Sequence, residues 1–180
     1  MPFEIETERL ILRDAVPGDW SSIHIYASNP DVVQHSIWGP NTEAETQEYV
    51  TQLIELSHEK PRRSYELVVT LKETGELIGG CGIHQAGYNA ELGYTFNPQY
   101  WGKGYATEAA FAIVQLGFEQ WEIHRIFATC RPGNTASSSV MKRIGMKREG
   151  RLREHLYFKG AFHDSEMYSI LRQEFESVVR

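Results

Sequence analysis

The sequence predicts an α+β fold built on a mixed β-sheet, and three observations carry that prediction. The predicted elements run strand, helices, a group of strands, helix, strand, helix, strand pair, which departs from strict βαβ alternation. "SYELVVTL" (64–71) and "ELIGGCGIHQ" (76–85) flank "KETG", a strong hairpin signal. "EAAFAIVQLGFEQW" (108–121) is long, alanine-rich and mostly apolar, which marks a largely buried helix. The 180 residues suit one domain, 1–180, and no repeat, low-complexity segment or Ser/Gly linker interrupts them.

Taken in order, "RLILRDA" (9–15) is short, apolar and β-prone, so it reads as the first strand. "PGDW" starts a helix that runs to about "YASN", where Pro30 stops it, and "DVVQHSIW" reads as a short helix and loop. "TEAETQEYVTQLIEL" opens with Thr42 and has Glu45 three residues later, a capping box, with Tyr49, Leu53 and Leu56 at helical spacing. "YNAELGYTF" (88–96) is a strand ended by "NPQ", and "HRIFATC" (124–130) is another. "NTASSSVMKRIG" reads as a short helix from Asn134 to Gly145. "MKREGRLREHLYF" and "FHDSEMYSILRQEF" read as strands joined through "KGA" into a closing hairpin.

Composition narrows the function classes. The formal net charge of −6 argues against nucleic-acid binding, whose footprint is basic. Cys81 and Cys130 are the two cysteines; they build no disulfide framework, and no CxxC or HExxH spacing makes a metal site. Reduced thiols in a cytoplasm are expected. "MPFEIETERL" carries three glutamates and no apolar core, so it does not read as a signal peptide, and no apolar run reaches membrane-spanning length.

"WGKGYAT" (101–107) stands between the strand ending at Phe96 and the long helix. A glycine-rich strand-to-helix turn exposes backbone N–H groups that have no intrahelical partner, at the end of the helix where the dipole favours an anion. Gly102 and Gly104 allow close approach to phosphate oxygens, Ala106 is nearly as small, Thr107 adds a hydroxyl and Lys103 a positive charge. The nucleotide pattern GxxxxGK[ST] is absent, and so is GxGxxG, since Gly104 is followed by Tyr105, Ala106 and Thr107. On these residues alone the loop is either a phosphate cradle or a tight turn.

The chain resembles the GNAT N-acetyltransferases, and within them the RimJ/RimL type that modifies ribosomal-protein N-termini. "ETERLILRDAVPGDW", "LIGGCGIH", "AELGYTFNPQYWGKGYATEAA", "CRPGNTASSSVMKRIGMKREG" and "YFKGAFHDSEMYSIL" follow that group's order over almost the whole chain. The resemblance implies the GNAT fold, with the fourth and fifth strands splayed and a pantetheine arm lying in the gap like an added strand. It implies acetyl-CoA as cosubstrate, no metal, and "WGKGYAT" as the pyrophosphate loop, with Gly104 and Ala106 as its small positions and Trp101 where Arg or Gln is usual. An offset register through Gln99, Gly102 and Gly104 also fits; a helix start after 104 favours the first. The expected cofactor-binding set is Tyr94, Thr95, Phe96, Trp101, Gly102, Lys103, Gly104, Tyr105, Ala106, Thr107 and Asn134, with a backbone N–H near Phe96 as oxyanion donor.

The implied chemistry is attack of a neutral amine on the thioester. A lysine-like amine lies about 3 pH units above neutrality and an N-terminal amine only about 1, so a base matters more for the first. The resemblance assigns Glu91 as the base. Seven residues past Asn134, where many members carry a Tyr acid, this chain has Met141; Ser137 matches the RimJ/RimL type and becomes the expected acid. Asn134-x-x-Ser137 is equally a helix N-cap with a polar first turn. His84, Trp38, Tyr157, Asp164 and Tyr168 are expected near the acceptor region, chiefly in packing or surface roles. The expected acceptor is a protein or peptide N-terminus. The alternatives are a small-molecule amine (polyamine, amino acid or antibiotic) or a non-catalytic acyl-CoA sensor. Monomer and homodimer both remain open.

Overall fold

The structure is a computed structural model that describes residues 3–179. One eight-stranded sheet runs β1 (Glu4–Glu6), β2 (Leu10–Arg13), β3 (Ser64–Leu71), β4 (Leu77–Ala86), β5 (Asn89–Phe96), β6 (Arg125–Cys130), β8 (Ala161–Leu171), β7 (Lys147–Phe158) in spatial order. Every neighbouring pair is antiparallel except β5 and β6, which are parallel. The sheet is therefore mixed, and its one parallel junction requires a crossover through a helix. That helix is α4 (Tyr105–Gln120).

Strand alternation sends one set of side chains to each face. Leu67, Val69, Cys81, Ile83, Ala90, Leu92 and Phe96 pack with Ala109, Ala110, Ile113 and Val114 of α4 and with Val140 and Met141 of α5 (Thr135–Arg143). The opposite face is smaller. There Val68 and Leu77 meet Ile23, Tyr26 and Ala27 of α1 (Trp20–Ala27) and Val50 and Leu53 of α3 (Glu43–Ser57). The Thr42–Glu45 capping box starts α3 as its sequence predicts: Thr42 N–H donates to Glu45 Oε2 at 2.7 Å and Glu45 N–H to Thr42 Oγ1 at 3.3 Å.

Three local expectations need correction. Pro30 opens a short helix, α2 (Pro30–Val33), and Asn29 caps it by accepting from Asp31 N–H; a proline at the first helical position gives up only an N–H that has no intrahelical partner. The strand over 9–15 is not the first: β1 pairs with it as Glu4↔Arg13, so the fourth and fifth strands of the expected splay are β5 and β6 here. The last strand stops at Leu171. Residues 172–179 form α6 (Arg172–Val179), where Glu174 accepts from Leu171 N–H at 3.0 Å and Phe175 packs on Phe111 and Phe118. The strand-like apolar run ends where that cap begins.

Candidate active site

β5 and β6 pair over only three positions, Asn89↔Arg125, Ala90↔Ile126 and Glu91↔Phe127. Beyond them β5 continues to Phe96 on β4, and β6 continues to Cys130 on β8, so the two strands part. Which backbone groups face the gap follows from two hydrogen bonds. Tyr88 C=O accepts from His124 on the β6 side, and Asn97 N–H donates to Ile78 on the β4 side. Alternation then turns the N–H and C=O of Tyr94 and Phe96 into the gap and those of Thr95 toward β4. Phe96 C=O is held by the Trp101 indole N–H at 2.8 Å.

The glycine loop closes the end of this gap on the α4 face. Gly102 and Gly104 take φ of +74° and +82°, in the left-handed region that costs glycine least. Gly104 is the N-cap of α4, and Glu108 N–H is the first donor inside the helix, to Gly104 C=O at 3.1 Å. Tyr105, Ala106 and Thr107 thus carry first-turn N–H groups with no intrahelical acceptor. The Thr107 hydroxyl is buried and has no hydrogen-bond partner. Arg9 braces the loop from β2: its guanidinium donates to Lys103 C=O at 3.0 Å and to Glu108 at 2.7 Å, and lies 4.6 Å over the Tyr105 ring. Burial acts against ionisation of Glu108, but hydrogen bonds from the Thr7 hydroxyl, the Arg9 N–H and the Arg9 guanidinium hold its carboxyl below the usual range.

On the same face α5 presents its first turn. Asn134 caps it, accepting from Ser137 N–H at 3.1 Å, so the N-cap reading of this motif stands in the geometry. The Tyr94 hydroxyl reaches across from β5, donating to Ser137 C=O at 2.8 Å and sharing a 3.0 Å contact with Ser137 Oγ. Burial pushes the Tyr94 phenol well above its ordinary pKa. Met141 is 1% exposed, locked in the core.

The other face of the gap is acidic. Glu91 is exposed on β5 and stands opposite His84 of β4. His84 Nε2 hydrogen-bonds Glu66 of β3, and its Nδ1 contacts Ser64 Oγ at 3.0 Å. The Glu66 hydrogen bond raises the His84 pKa, against burial. Burial also raises the Tyr26 phenol, with the charges of Asp19 and then Glu66 adding to it. The floor is glycine: a Cβ at Gly82 would collide with the Glu66 carboxylate, and one at Gly93 would meet nothing within 4 Å. Neither the Glu66–His84 pair nor the Arg9 brace was visible in sequence, because partners 18 and 99 residues apart share no motif. Among the described residues no group of three His, Cys, Asp or Glu side chains is placed to hold a metal. Cys81 and Cys130 are free and buried, with burial pushing both thiols up. Among the described residues no helix is long and apolar enough to cross a membrane.

A mixed sheet that splays at its one parallel junction, with a helix N-terminus at the mouth, is the arrangement expected from the resemblance to the GNAT fold. Residues 9–147 match the acetyltransferase (GNAT) domain model, and the chain belongs to that family of N-acetyltransferases. It is 35% identical over 172 residues to YnaD of Bacillus subtilis (strain 168), described as an uncharacterized N-acetyltransferase, covering 94% of this chain and 98% of YnaD. The crystal structure of a GNAT-family acetyltransferase from Bacillus anthracis superposes with a TM-score of 0.85 at 35% identity, covering 95% of this chain and 99% of that one. RimL, a ribosomal L7/L12 alpha-N-protein acetyltransferase solved with coenzyme A, shares the fold at a TM-score of 0.81 and 22% identity, over 94% and 98% of the two chains.

The loop has the geometry of an anion cradle. It offers first-turn N–H groups with no intrahelical acceptor, an unpartnered Thr107 hydroxyl, open space where a Cβ would stand at Gly102, and at Gly104 only Arg9 Nη2, 3.4 Å from the Cβ position. Tyr94 and Phe96 offer the backbone row that an extended arm needs.

Proposed function

We propose that the protein transfers an acetyl group from acetyl-CoA to the α-amine of a protein or peptide N-terminus. The observation that carries this reading is the two-sided gap. Its α4 face holds the glycine loop and Ser137, and its opposite face holds Glu91, Glu66 and His84. Acetyl-CoA supplies the reactive thioester when bound. Gly102 to Thr107 and Asn134 hold its phosphates and arm, with Trp101, Lys103 and Tyr105 shaping the loop. The Phe96 N–H is the oxyanion donor; donors of this kind are worth roughly 2.7–4 kcal/mol. As the C–S bond breaks, Ser137 Oγ gives its proton to the leaving sulfur and regains one from the nitrogen of the collapsing intermediate, with the Tyr94 hydroxyl fixing its first turn. Glu91 takes the proton from the incoming amine, directly or through one water.

The exposure of Glu91 supports this choice of acceptor: it stands open to solvent on β5, and the neighbouring His84 is engaged by Glu66. An N-terminal amine, ordinarily near 7.7–8.0, needs only a weak acceptor of its proton. RimL acts on such a terminus and shares this fold.

The test is an acceptor screen with acetyl-CoA in which products are identified by mass. Acetylated peptide α-amines are expected, with lysine side chains and polyamines slower. Glu91→Gln should reduce kcat/KM most at neutral pH, with recovery as pH rises; an equal loss at every pH removes Glu91 as the base. Tight binding of acetyl-CoA without turnover of any amine would support a sensor instead.

A further inference from the structure

Arg131 follows β6 directly and is 8% exposed. Its Nη1 is buried and without a hydrogen-bond partner, and the guanidinium forms no ion pair among the described residues. Burial accordingly lowers its pKa. An unpaired buried guanidinium is costly, and natural proteins keep one where a ligand or ordered water completes it.

Its surroundings are basic as well. The Arg131 charge lowers the His35 pKa together with that of Lys159, after burial. His35 Cε1 would lie 3.8 Å from a Cβ at Gly133, which places the loop after α2 against the loop after β6. Lys159, at the β7–β8 turn, donates to Val33 C=O at 2.6 Å and so ties that turn to α2. Phe158 beside it has its ring centroid 5.9 Å from the Arg131 guanidinium. The β8 carboxylates nearest in register are already engaged, Asp164 by Arg151 and Glu166 by Arg148.

Strand geometry relates this cluster to the reaction. Glu91 and Phe127 are the last paired residues of β5 and β6. Four residues further on, about 13 Å at the usual rise, stand Thr95 on β5 and Arg131 just past the end of β6. Phe127 and Thr129 alternate away from Ile126, Ala128 and Cys130, which lie in the α4-side core, so the extension to Arg131 falls on the acceptor side.

We propose that Arg131, flanked by His35 and Lys159, is an anion subsite of the acceptor groove, and that the preferred acceptor carries a carboxylate beside its reactive amine. The proposal rests on the acceptor reading above. A planar guanidinium matches a carboxylate with two parallel hydrogen bonds, which the ammonium of a lysine does not. The carboxylate comes either from an acidic side chain in the first residues of a peptide or from a small amino acid itself.

The test compares kcat/KM for two acceptor pairs: peptides that differ only by Glu or Gln in the second or third position, and a free amino acid against its amide. Wild-type protein should favour the carboxylate member of one pair by about 30-fold, equivalent to roughly 2 kcal/mol. Which pair shows the preference identifies the source. Arg131→Gln should bring that ratio below about 3-fold, with Arg131→Lys in between. A wild-type ratio near one in both pairs overturns the subsite, and this holds even if neither variant folds. It is also overturned if Arg131→Gln raises the KM for acetyl-CoA and leaves the ratio unchanged. If no amine is acetylated at all, the transferase reading has failed separately. The subsite is then decided by calorimetry of N-acetylated Glu and Gln peptides on the coenzyme A-saturated protein, where equal affinities reject it.

Discussion

Replacing Arg9 by Met should loosen the glycine loop without touching any group that meets the cofactor. The guanidinium contributes three interactions: a hydrogen bond to Lys103 C=O at 3.0 Å, a bond to Glu108 at 2.7 Å and a stack 4.6 Å over Tyr105. Arg9's side chain is 43% exposed, so the ion pair is worth less than about 1 kcal/mol after solvent screening. The stack adds about 0.5–1 kcal/mol at an exposed site, and the hydrogen bond to the carbonyl about 1 kcal/mol. The three share one side chain and are not additive, so the loss should be about 1–2 kcal/mol, or roughly 2–8 °C in Tm for a chain of this size. Met keeps the aliphatic stem, and Glu108 keeps its bonds from Thr7 Oγ1 and the N–H of position 9. The loop's N–H groups lose their fixed geometry, so the Kd for coenzyme A should rise about 3- to 10-fold, read by calorimetry beside a thermal melt of the free protein. A fall in Tm with an unchanged Kd would refute the idea that this brace preorganises the loop, and would leave Arg9 as a fold contact only.

Thr107→Val should leave the free protein as stable as before or slightly more so, because the hydroxyl it removes has no partner, while coenzyme A binds about 5-fold more weakly; equal affinities would show that this hydroxyl does not meet the cofactor. Gly93→Val should fold and bind coenzyme A normally, since a Cβ there meets nothing, yet lose about 10-fold in kcat/KM for the acceptor; full activity would place the acceptor's path elsewhere. Glu66→Gln removes the partner that raises the His84 pKa. A raised pKa stabilises below the unfolded value and the gain is lost as pH rises through the folded one, so the variant should be weakened more at pH 5.5 than at pH 9. Denaturant midpoints at both pH values check this, and an equal loss at the two would mean that His84 protonation is not what Glu66 supports.

Part of this site could be read directly from the chain. The loop at 101–107 declares itself through two glycines between a strand and an alanine-rich helix, and Gly104 does cap that helix. Asn134 and Ser137 declare themselves as a cap and its first turn, and that is their hydrogen bond. The early and late segments were harder. Asn29 capping a proline-led helix and Glu174 ending the last strand are decided by single hydrogen bonds, which a pattern of apolar residues does not record.

The sequence by itself determined most of the elements, the caps of α3 and α5, the position of the glycine loop and the family, because these are written in neighbours a few residues apart. Only the tertiary structure decided what the site is made of. The sheet register sets Glu66 against His84 and both beside Glu91, and the parallel β5–β6 junction stops after three pairs and opens the gap. Packing of β2 on α4 brings Arg9 to Glu108. The unpaired guanidinium of Arg131 becomes visible only once the fold sets His35, Phe158 and Lys159 beside it. Burial, and hence the cost of leaving a charge without a partner, is a property of the whole fold and of no segment of the chain.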